Sequence, residues 1–356
     1  MLFKQEKINA FGLDISDSSI KVLQLSQEQR KLQIKAFGDM ALMPKVIENN
    51  LIINEQRLAE NILRAVGAAG KISTKHVICS IPEVKSFVRI IKVPKMPESE
   101  IEGALPYELE QDIPIPIDQV YMDWQIIEEQ SDALQLLVAA APKNYVDSLI
   151  ASLHIAKLVP VAMELESFAT ARALIGAENL TKQVLVVDAS TTQTSFIILK
   201  KGIIEYTSSV SFAGSAFTES IARVLAVPMA DAEKLKRLVG LSGENEKRDE
   251  IRKAVYPILD NIIDEMKNVM RYFEQHSPGS QIDTIIFCGS SAKLQGLVEY
   301  VSRRLNLGAA HPINHITLGS PWVNLRNLQN PLAPDASLGY VTATGLAMRG
   351  LNYEIN

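Results

Sequence analysis

The sequence predicts a two-lobed α/β protein in which an α+β subdomain is inserted into the first lobe. Three observations carry this prediction. The stretch "FGLDISDSSIKVLQL" at residues 11–25 places a strand containing Asp before a loop of small hydroxyl residues and a second strand, and "VLVVDASTTQTSFIIL" at residues 184–199 repeats that order. Such similarity, separated by about half the chain, indicates two related halves. Between them lies a segment in which several prolines separate short predicted elements.

Length and composition describe a globular chain that is large enough for more than one core. It has 356 residues, of which 47% are hydrophobic and 22% charged, so an intrinsically disordered chain is excluded. The formal net charge of −5 argues against a general nucleic-acid binder, because no basic excess neutralises phosphates. No run of about 18 apolar residues is present, so we expect a cytoplasmic protein that reaches a membrane only through partners.

Cysteine and histidine usage argues against a metal centre built from these residues. Cys79 and Cys288 each lie in an apolar stretch and are predicted to be free thiols in a reducing compartment. The five histidines show no spacing typical of zinc ligands.

The first lobe is predicted to open with three adjacent strands, followed by a helix and a buried strand. Short unbroken apolar runs predict strands, and apolar residues at helical spacing predict a helix. The predicted bounds are Phe11–Ile15, Ile20–Leu25 and Leu32–Phe37 for the strands, Leu58–Ala69 for the helix and His76–Ile81 for the buried strand.

The inserted subdomain is predicted at about residues 86–141. Pro94, Pro97, Pro114 and Pro116 divide it into short elements joined by rigid loops. The predicted elements are the strands Phe87–Val93, Tyr121–Ile127 and Leu134–Ala140 and a helix within "MPESEIEGALPYELEQ". The helices Asn144–His154 and Leu165–Leu174 are predicted to complete the first lobe.

The second lobe is predicted to contain two helices, Ala230–Leu238 and Glu250–Glu274, and a buried strand, Thr284–Cys288. The last helix, Ser337–Arg349, is rich in small residues that permit close packing. The predicted boundaries are residues 1–182 for the first lobe, 183–335 for the second, and 336–356 for a C-terminal helix that returns to the first lobe.

Both strand–loop–strand motifs supply groups that suit the phosphates of a nucleotide. Backbone N–H groups in tight loops bind anions, and serine and threonine hydroxyls add hydrogen-bond donors. Asp14 and Asp188 can hold Mg²⁺ through its waters, and Lys21 can reach a phosphate as a point charge. The alternative for either aspartate is the capping of its own turn.

Six stretches spread over nearly the whole chain resemble the PilM family of type IV pilus assembly proteins, which is related to FtsA within the actin-like ATPase superfamily. They are "FGLDISDSSIKVLQL", "LPYELEQDIPIPIDQVYMDWQII", "ELESFATARAL", "VVDASTTQTSFIIL", "IIFCGSSAKLQGLVEYVSRRL" and "GYVTATGLAMRGL". The resemblance implies an actin-like (ribonuclease H-like) fold whose phosphate 1, phosphate 2 and adenosine motifs appear in this order.

The resemblance also implies that ATP or ADP binds with Mg²⁺ between the lobes. The residues implied to contact the cofactor are Asp14, Ser16, Ser18, Ser19 and Lys21 in the first motif, Asp188, Ser190, Thr191 and Thr192 in the second, and Gly289, Ser290 and Lys293 in the third. Asp14 and Asp188 are the implied metal-binding pair. Glu166 stands where related ATPases carry a Glu or Gln that orients the attacking water, and its alternative role is a solvated charge on a helix.

Three motif positions depart from the family pattern. Ser16, Ser190 and Ser290 stand where actin-like proteins usually have glycine. Glycine permits backbone conformations and close approaches that serine does not share freely. We therefore expect weakened nucleotide binding and ATP hydrolysis that is slow or absent.

PilM proteins bind the N-terminal cytoplasmic peptide of PilN, a bitopic membrane protein, so the resemblance implies a PilN-like partner. The peptide is expected between the inserted subdomain and the first lobe, where the most family-specific stretch, Pro106–Trp124, offers apolar ridges. Ile113, Ile115 and Ile117 are either core residues or such an exposed ridge. The pilus motor ATPases and weak self-association are further interactions that the resemblance allows. The expected function is a cytoplasmic scaffold at the inner face of the cytoplasmic membrane.

Two other functions remain open from the sequence. An actin-fold small-molecule kinase needs a general-base Asp facing a substrate hydroxyl, and the first lobe offers no convincing candidate. An FtsA-like division or filament protein normally ends in an amphipathic membrane-targeting helix, which the stretch "GLAMRGLNYEIN" does not resemble.

Overall fold

The computed structural model describes residues 7–354, apart from 29–30, 49, 110–114, 308–311, 314, 326–327, 329–331 and 352. Within these residues the chain forms two α/β halves. One is built on a five-stranded sheet, and the other on an eight-stranded sheet that the inserted segment extends.

The first half carries the sheet that positions the first motif. Its elements up to residue 81 are β1 (Lys7–Ile8), β2 (Phe11–Ile15), β3 (Ser19–Glu28), β4 (Lys31–Ala41), β5 (Ile47–Glu48), β6 (Leu51–Ile52), α1 (Glu55–Ala68) and β7 (His76–Ile81). All five residues of β2 are buried, as expected of a central strand covered on both faces. It pairs antiparallel with β3 and parallel with β7.

The inserted segment is a three-stranded antiparallel unit with one helix packed on it. It comprises β8 (Phe87–Pro94), α2 (Glu98–Leu109), β9 (Val120–Glu129) and β10 (Ala133–Pro142). Ile101, Leu105 and Leu109 of α2 share a buried cluster with Leu136 and Val138 of the central strand β10. The chain then returns to the first half through α3 (Lys143–Ile155), β11 (Val159–Leu165) and α4 (Glu166–Leu174).

The second half repeats the strand order of the first and adds helices. Its elements are β12 (Gln183–Ala189), β13 (Thr194–Lys200), β14 (Ile203–Val210), α5 (Gly214–Leu225), α6 (Met229–Leu238), α7 (Arg248–His276), β15 (Thr284–Cys288), α8 (Leu297–Asn306) and β16 (His315–Leu318). The sheet order is β16-β15-β12-β13-β14-β8-β10-β9. The strands of the inserted segment therefore continue the sheet of the second half, through one residue pair between Arg89 and Tyr206.

The C-terminal segment lies against the first half. It comprises α9 (Pro334–Ser337), α10 (Val341–Gly350) and β17 (Tyr353–Glu354), which pairs with β1. A Cβ atom at Gly345 would overlap the backbone carbonyl of Ala169 in α4, so glycine is needed for this close approach. The backbone N–H of Ala10 donates to the carbonyl of Gly350 at 2.9 Å. The domain boundaries drawn from the sequence stay predictions.

One apolar cluster joins the first half to β12, β13 and β15 of the second half, and two further clusters lie within the second half and within the inserted segment. Cys79 and Cys288 are both buried and free. Among the described residues, no helix combines the length and the apolar character that a membrane span requires.

Candidate functional site

The ends of β2 and β12 meet at one cleft between the two halves. Most of the predicted nucleotide-site residues line this cleft: Asp14, Ser16, Ser18, Lys21, Glu166, Asp188, Ser190, Thr191, Thr192 and Ser290. Ser19, Gly289 and Lys293 are not part of the lining. The fold thus gathers residues from all three motifs and from α4 around one space.

Asp14 is held by the neighbouring strand. The hydroxyl of Ser80 at the end of β7 donates to Asp14 Oδ1 at 3.0 Å, and it accepts from the backbone N–H of Ile15 at 3.2 Å. Lys21 lies opposite Asp14 in the pairing of β2 with β3. Ser80 therefore fixes the carboxylate toward the cleft, a role that the sequence pattern did not predict.

Three carboxyl groups share this poorly solvated space. Burial raises the pKa of Asp14, Glu166 and Asp188 above their usual ranges. The charge of Asp14 raises the pKa of the other two further, and for Asp188 the pKa rises from 3.8 to about 6. Lys21 opposes the shift at both aspartates. The ionised form of these carboxyl groups is therefore disfavoured in the cleft, and a divalent cation bound there would favour it.

The loop after β2 satisfies its own backbone donors. The hydroxyl of Ser16 accepts from the backbone N–H of Ser19 at 3.0 Å and from that of Ser18 at 3.4 Å. These are the amides that a phosphate oxygen would use in a loop of this kind. The hydroxyl of Ser16 thus takes the place that an anion would have at these amides. Ser19 in turn accepts from Lys21 Nζ at 2.9 Å.

Hydrogen bonds across the cleft join the two halves. Thr192 Oγ1 donates to Asp17 Oδ1 at 2.7 Å, and Gln193 Nε2 donates to Glu166 Oε2 at 3.3 Å. The space left between the loops is about 30 Å³, which is room for about two water molecules. The halves are therefore closed on each other at this point.

Glu166 is part of a reciprocal pair at the start of α4. Its Oε2 accepts from the backbone N–H of Glu83 at 3.1 Å, and Glu83 Oε2 accepts from the backbone N–H of Ser167 at 3.3 Å. The hypothesis that Glu166 is a solvated helix charge is wrong. Glu83 is a buried carboxyl whose pKa burial raises, and no motif in the sequence pointed to it.

The third motif closes the cleft from the second half. Gly289 has φ +90°, and a Cβ there would overlap the carbonyl of Ala189 and the carboxyl of Asp188, so this position requires glycine. The hydroxyl of Ser291 donates to the carbonyl of Ser190 at 2.5 Å. The turn after β15 is thereby tied to the loop after β12.

These residues fit a magnesium–phosphate group by their chemistry but not by the space they leave. Two facing aspartates, a lysine and several hydroxyls are suitable donors and charges. No group of three or more His, Cys, Asp or Glu side chains in the described part of the chain is arranged to hold a metal, so phosphate and water would have to complete the coordination. A nucleotide needs a pocket of about 300 Å³ or more, which this conformation does not offer.

A second and larger cavity lies between the inserted segment and the first half. It encloses about 530 Å³ and is walled by β9 and β10 on one side and by β11 and α4 on the other. Its apolar lining residues are Ile81, Met122, Trp124, Leu137, Ala139, Ala140, Ala141, Val146, Met163, Leu165 and Phe168. Because β9 is the last strand of the eight-stranded sheet, its outer edge has no neighbouring strand among the described residues. We call this cavity the groove.

One end of the groove carries a cluster of three charges. Glu164 is buried and accepts from Arg172 Nη2 at 2.9 Å and from Arg349 Nη1 at 2.6 Å. Both arginines line the groove, which places guanidinium donors at this end of it.

The described part of the proline loop, residues 115–119, does not line the groove. Ile115 and Ile117 pack against the segment's own core, so the expectation of an exposed ridge is wrong for these two residues. Ile113 lies outside the described residues. From the stretch Pro106–Trp124, the groove is lined by Tyr121, Met122, Asp123 and Trp124 instead.

A family model described as type IV pilus assembly protein PilM matches residues 12–351, which is nearly the whole chain. The chain belongs to the PilM family. A solved PilM–PilN type IV pilus biogenesis complex is 25% identical, with a TM-score of 0.82 over 98% of this chain and 100% of that one. These comparisons confirm the resemblance inferred from the six stretches.

Two more distant structures have the same actin-like fold. The ethanolamine utilization protein EutJ of Carboxydothermus hydrogenoformans is 16% identical, with a TM-score of 0.54 over 95% of this chain and 89% of that one. MreB5 of Spiroplasma citri, solved with ADP, is 12% identical, with a TM-score of 0.50 over 96% of each chain. The predicted actin-like two-lobed architecture is confirmed at the level of fold.

Proposed function

We propose that this PilM-family protein is a cytoplasmic scaffold of the type IV pilus assembly platform, and that its groove binds the N-terminal peptide of a PilN-like membrane protein. The observation that carries the proposal is the groove itself, between the inserted segment and the first half. It is supported by the family match and by the likeness to a solved PilM–PilN complex.

The groove is suited to an extended apolar peptide. Its walls present aromatic, methionine and small aliphatic side chains, which gain free energy when apolar peptide side chains cover them. The unpaired edge of β9 offers backbone groups to a peptide strand. Tyr121 at that edge is 47% exposed and its hydroxyl donates to Asp147 at 3.0 Å. Because these walls belong to regular strands and a helix, little ordering cost accompanies binding, and micromolar affinity, roughly −8 kcal/mol, is expected.

Photo-cross-linking tests where the peptide lies. A photoreactive residue in place of Tyr121 should form a covalent product with an N-terminal PilN-like peptide, since Tyr121 lines the groove. Absence of that product, with the protein folded, would contradict the proposed location.

The cleft between the halves is proposed to take ATP or ADP with Mg²⁺ once the two loops have separated. Asp14 and Asp188 would hold the metal, and Lys21 and the loop hydroxyls would hold phosphate. The hydrogen bonds between Asp17 and Thr192 and between Gln193 and Glu166 must break to make room. The positive charge of bound Mg²⁺ would attract carboxylates from both halves and so hold them together. ATP hydrolysis is proposed to be slow or absent, and Glu166 is the residue proposed to orient the attacking water.

Replacement of Ser16 tests whether its hydroxyl competes with phosphate. In Ser16→Gly the amides of Ser18 and Ser19 lose their internal acceptor. A phosphate group then gains two unsatisfied donors, and affinity for Mg²⁺–ATP in calorimetric titration should rise about tenfold, since one hydrogen bond to a charged group contributes about 1.5 kcal/mol or more.

Ser16→Ala is the matched variant, because it removes the hydroxyl without giving the backbone the freedom of glycine. If the hydroxyl is the competitor, both variants bind more tightly than the native protein. An increase in the glycine variant alone would assign the effect to backbone freedom, and no increase in either variant would contradict the competition.

A further inference from the structure

A third cavity lies where the inserted segment joins the second half. It encloses about 580 Å³ and lies between the sheet of the inserted segment, the β13–β14 hairpin and the C-terminal end of α7. Neither the cleft between the halves nor the groove includes any of its lining residues. We call it the wedge, because two strands diverge inside it.

Where they diverge, the edges of β8 and β14 have no paired strand among the residues that the structure describes. β8 and β14 are neighbours in the sheet, but they pair only between Arg89 and Tyr206. Beyond that pair, the segments 90–92 and 203–205 both contribute to the lining of the wedge. Along β8, alternate N–H and C=O groups therefore point into the gap, whereas the bulge at Glu205 interrupts this alternation in β14. A stretch of three residues on each side is about 10 Å long.

Basic side chains surround this gap although the chain as a whole is acidic. Arg89, Lys92, Lys200 and Lys201 line the wedge, against Glu128 and Glu205. Lys92, Lys200 and Lys201 make no salt bridge within 4.0 Å to any residue that the structure describes. Burial raises the pKa of Glu205 and Lys200 opposes the shift. Four basic side chains against two carboxyl groups give the lining of the wedge an excess of positive charge.

Aromatic stacking makes the floor of the wedge rigid. The guanidinium of Arg89 lies 4.8 Å from the ring of Phe87 and 5.0 Å from that of Tyr206. Tyr206 stacks on Tyr272 at 4.5 Å, and Tyr272 stacks on His276 at 3.9 Å. A partner that enters the wedge therefore meets side chains that are already ordered, which lowers the entropic cost of binding.

We propose that the wedge binds an extended acidic peptide segment of a partner protein as an added strand between β8 and β14. A peptide backbone is the ligand that complements both strand edges at once, because it repeats donors and acceptors at the spacing of the strands. Acidic side chains at alternate positions would meet Lys92 from one strand and Lys200 and Lys201 from the hairpin. The site is separate from the groove proposed for the PilN-like peptide and does not depend on it.

Calorimetric titration with two synthetic probes tests the proposal. One probe is an acetylated, amidated hexapeptide of alternating glutamate and valine, and the other has lysine in place of every glutamate. The acidic probe should bind one per chain and the basic probe should not. Amide hydrogen exchange should slow at 90–92 and 203–205 when the acidic probe is present, because the added strand pairs with these edges.

Charge reversal of the three lysines that line the wedge is the second test of the proposal; we call this triple variant the rim variant. The triple variant Lys92→Glu, Lys200→Glu and Lys201→Glu should lose at least about tenfold in affinity for the acidic probe, because three attractive contacts become repulsive. A control variant, Lys35→Glu, Lys234→Glu and Lys253→Glu, has the same net charge, and its replaced side chains are exposed and line none of the three cavities. It should bind as the native protein does.

Three results would each overturn the proposal. They are equal affinity of the rim variant and the control for the acidic probe, equal binding of the acidic and basic probes by the native protein, and slowed exchange only of amides outside the wedge. No binding of the acidic probe at millimolar concentration would overturn it as well. Protection of the same amides by ADP but not by the acidic probe would assign the wedge to a small anion instead.

Discussion

Filling the groove at Ala139 should abolish binding of a PilN-like N-terminal peptide. Ala139 lies on β10, contributes to the groove lining and is partly exposed. Phenylalanine at this position would occupy the space that a peptide side chain needs. In calorimetric titration the native protein should bind with micromolar affinity, and Ala139→Phe should lose at least about a hundredfold, or 2.7 kcal/mol.

Ala68→Phe is the matched control for that change. Ala68 is exposed on α1 and lines none of the three cavities, so the same substitution there should leave peptide affinity unchanged. Both variants should unfold cooperatively in a thermal scan. Unchanged peptide affinity in a folded Ala139→Phe protein would show that the peptide does not use the groove.

Neutralising Asp188 should stabilise the protein above pH 6 and remove part of its pH dependence. The pKa of Asp188 is about 6 in the folded chain and 3.8 as its ordinary value, so the folded state holds the proton more tightly than the unfolded state. The stability contributed by that proton is fully present below about pH 4 and is lost as pH rises through 6. The loss at pH 7.5 is on the order of 3 kcal/mol, and Asp188→Asn avoids it.

The measurement is the free energy of unfolding from urea titrations between pH 4 and pH 8. The native protein should lose stability from pH 4 to pH 7, and Asp188→Asn should show a flatter profile and a higher value at pH 7.5. Asp264→Asn is the control, because the side chain of Asp264 is 72% exposed and has no part in the cleft. A profile for Asp188→Asn that parallels that of the native protein would contradict the assigned cause of the shift.

The strands of the fold were the part most open to prediction from sequence. β2, β7 and β15 have the predicted bounds, because each is a short and mostly apolar run, as burial on both faces requires. Helices α1, α3 and α7 begin one to three residues before their predicted starts, since fraying and capping set helix ends locally. β14 and α5 were not predicted, and neither was the continuity of the inserted strands with the second sheet, because strand pairing between distant segments leaves no local pattern.

Most residues of the candidate site could be predicted from the sequence, but the hydrogen bonds that close the cleft could not. The repeated motif with Asp14 and Asp188 placed the two aspartates in one cleft, because equivalent strands in related halves end at corresponding positions. The capping of the loop amides by Ser16 and the bond between Asp17 and Thr192 depend on side-chain rotamers and on closure of the halves. Sequence patterns hold no information on either. Glu164 and its two arginines likewise come from β11, α4 and α10, which only the tertiary fold brings together.

Photo-cross-linking of a PilN-like N-terminal peptide tests the central claim most directly. A photoreactive phenylalanine analogue is placed at Tyr121 in the groove or at Tyr272 in the wedge, two tyrosines that are 47% and 37% exposed. We predict a covalent peptide adduct from position 121, competed by unlabelled peptide, and none from position 272. An adduct from position 272 alone, or equal adducts from both, would contradict the assignment of the groove as the peptide site.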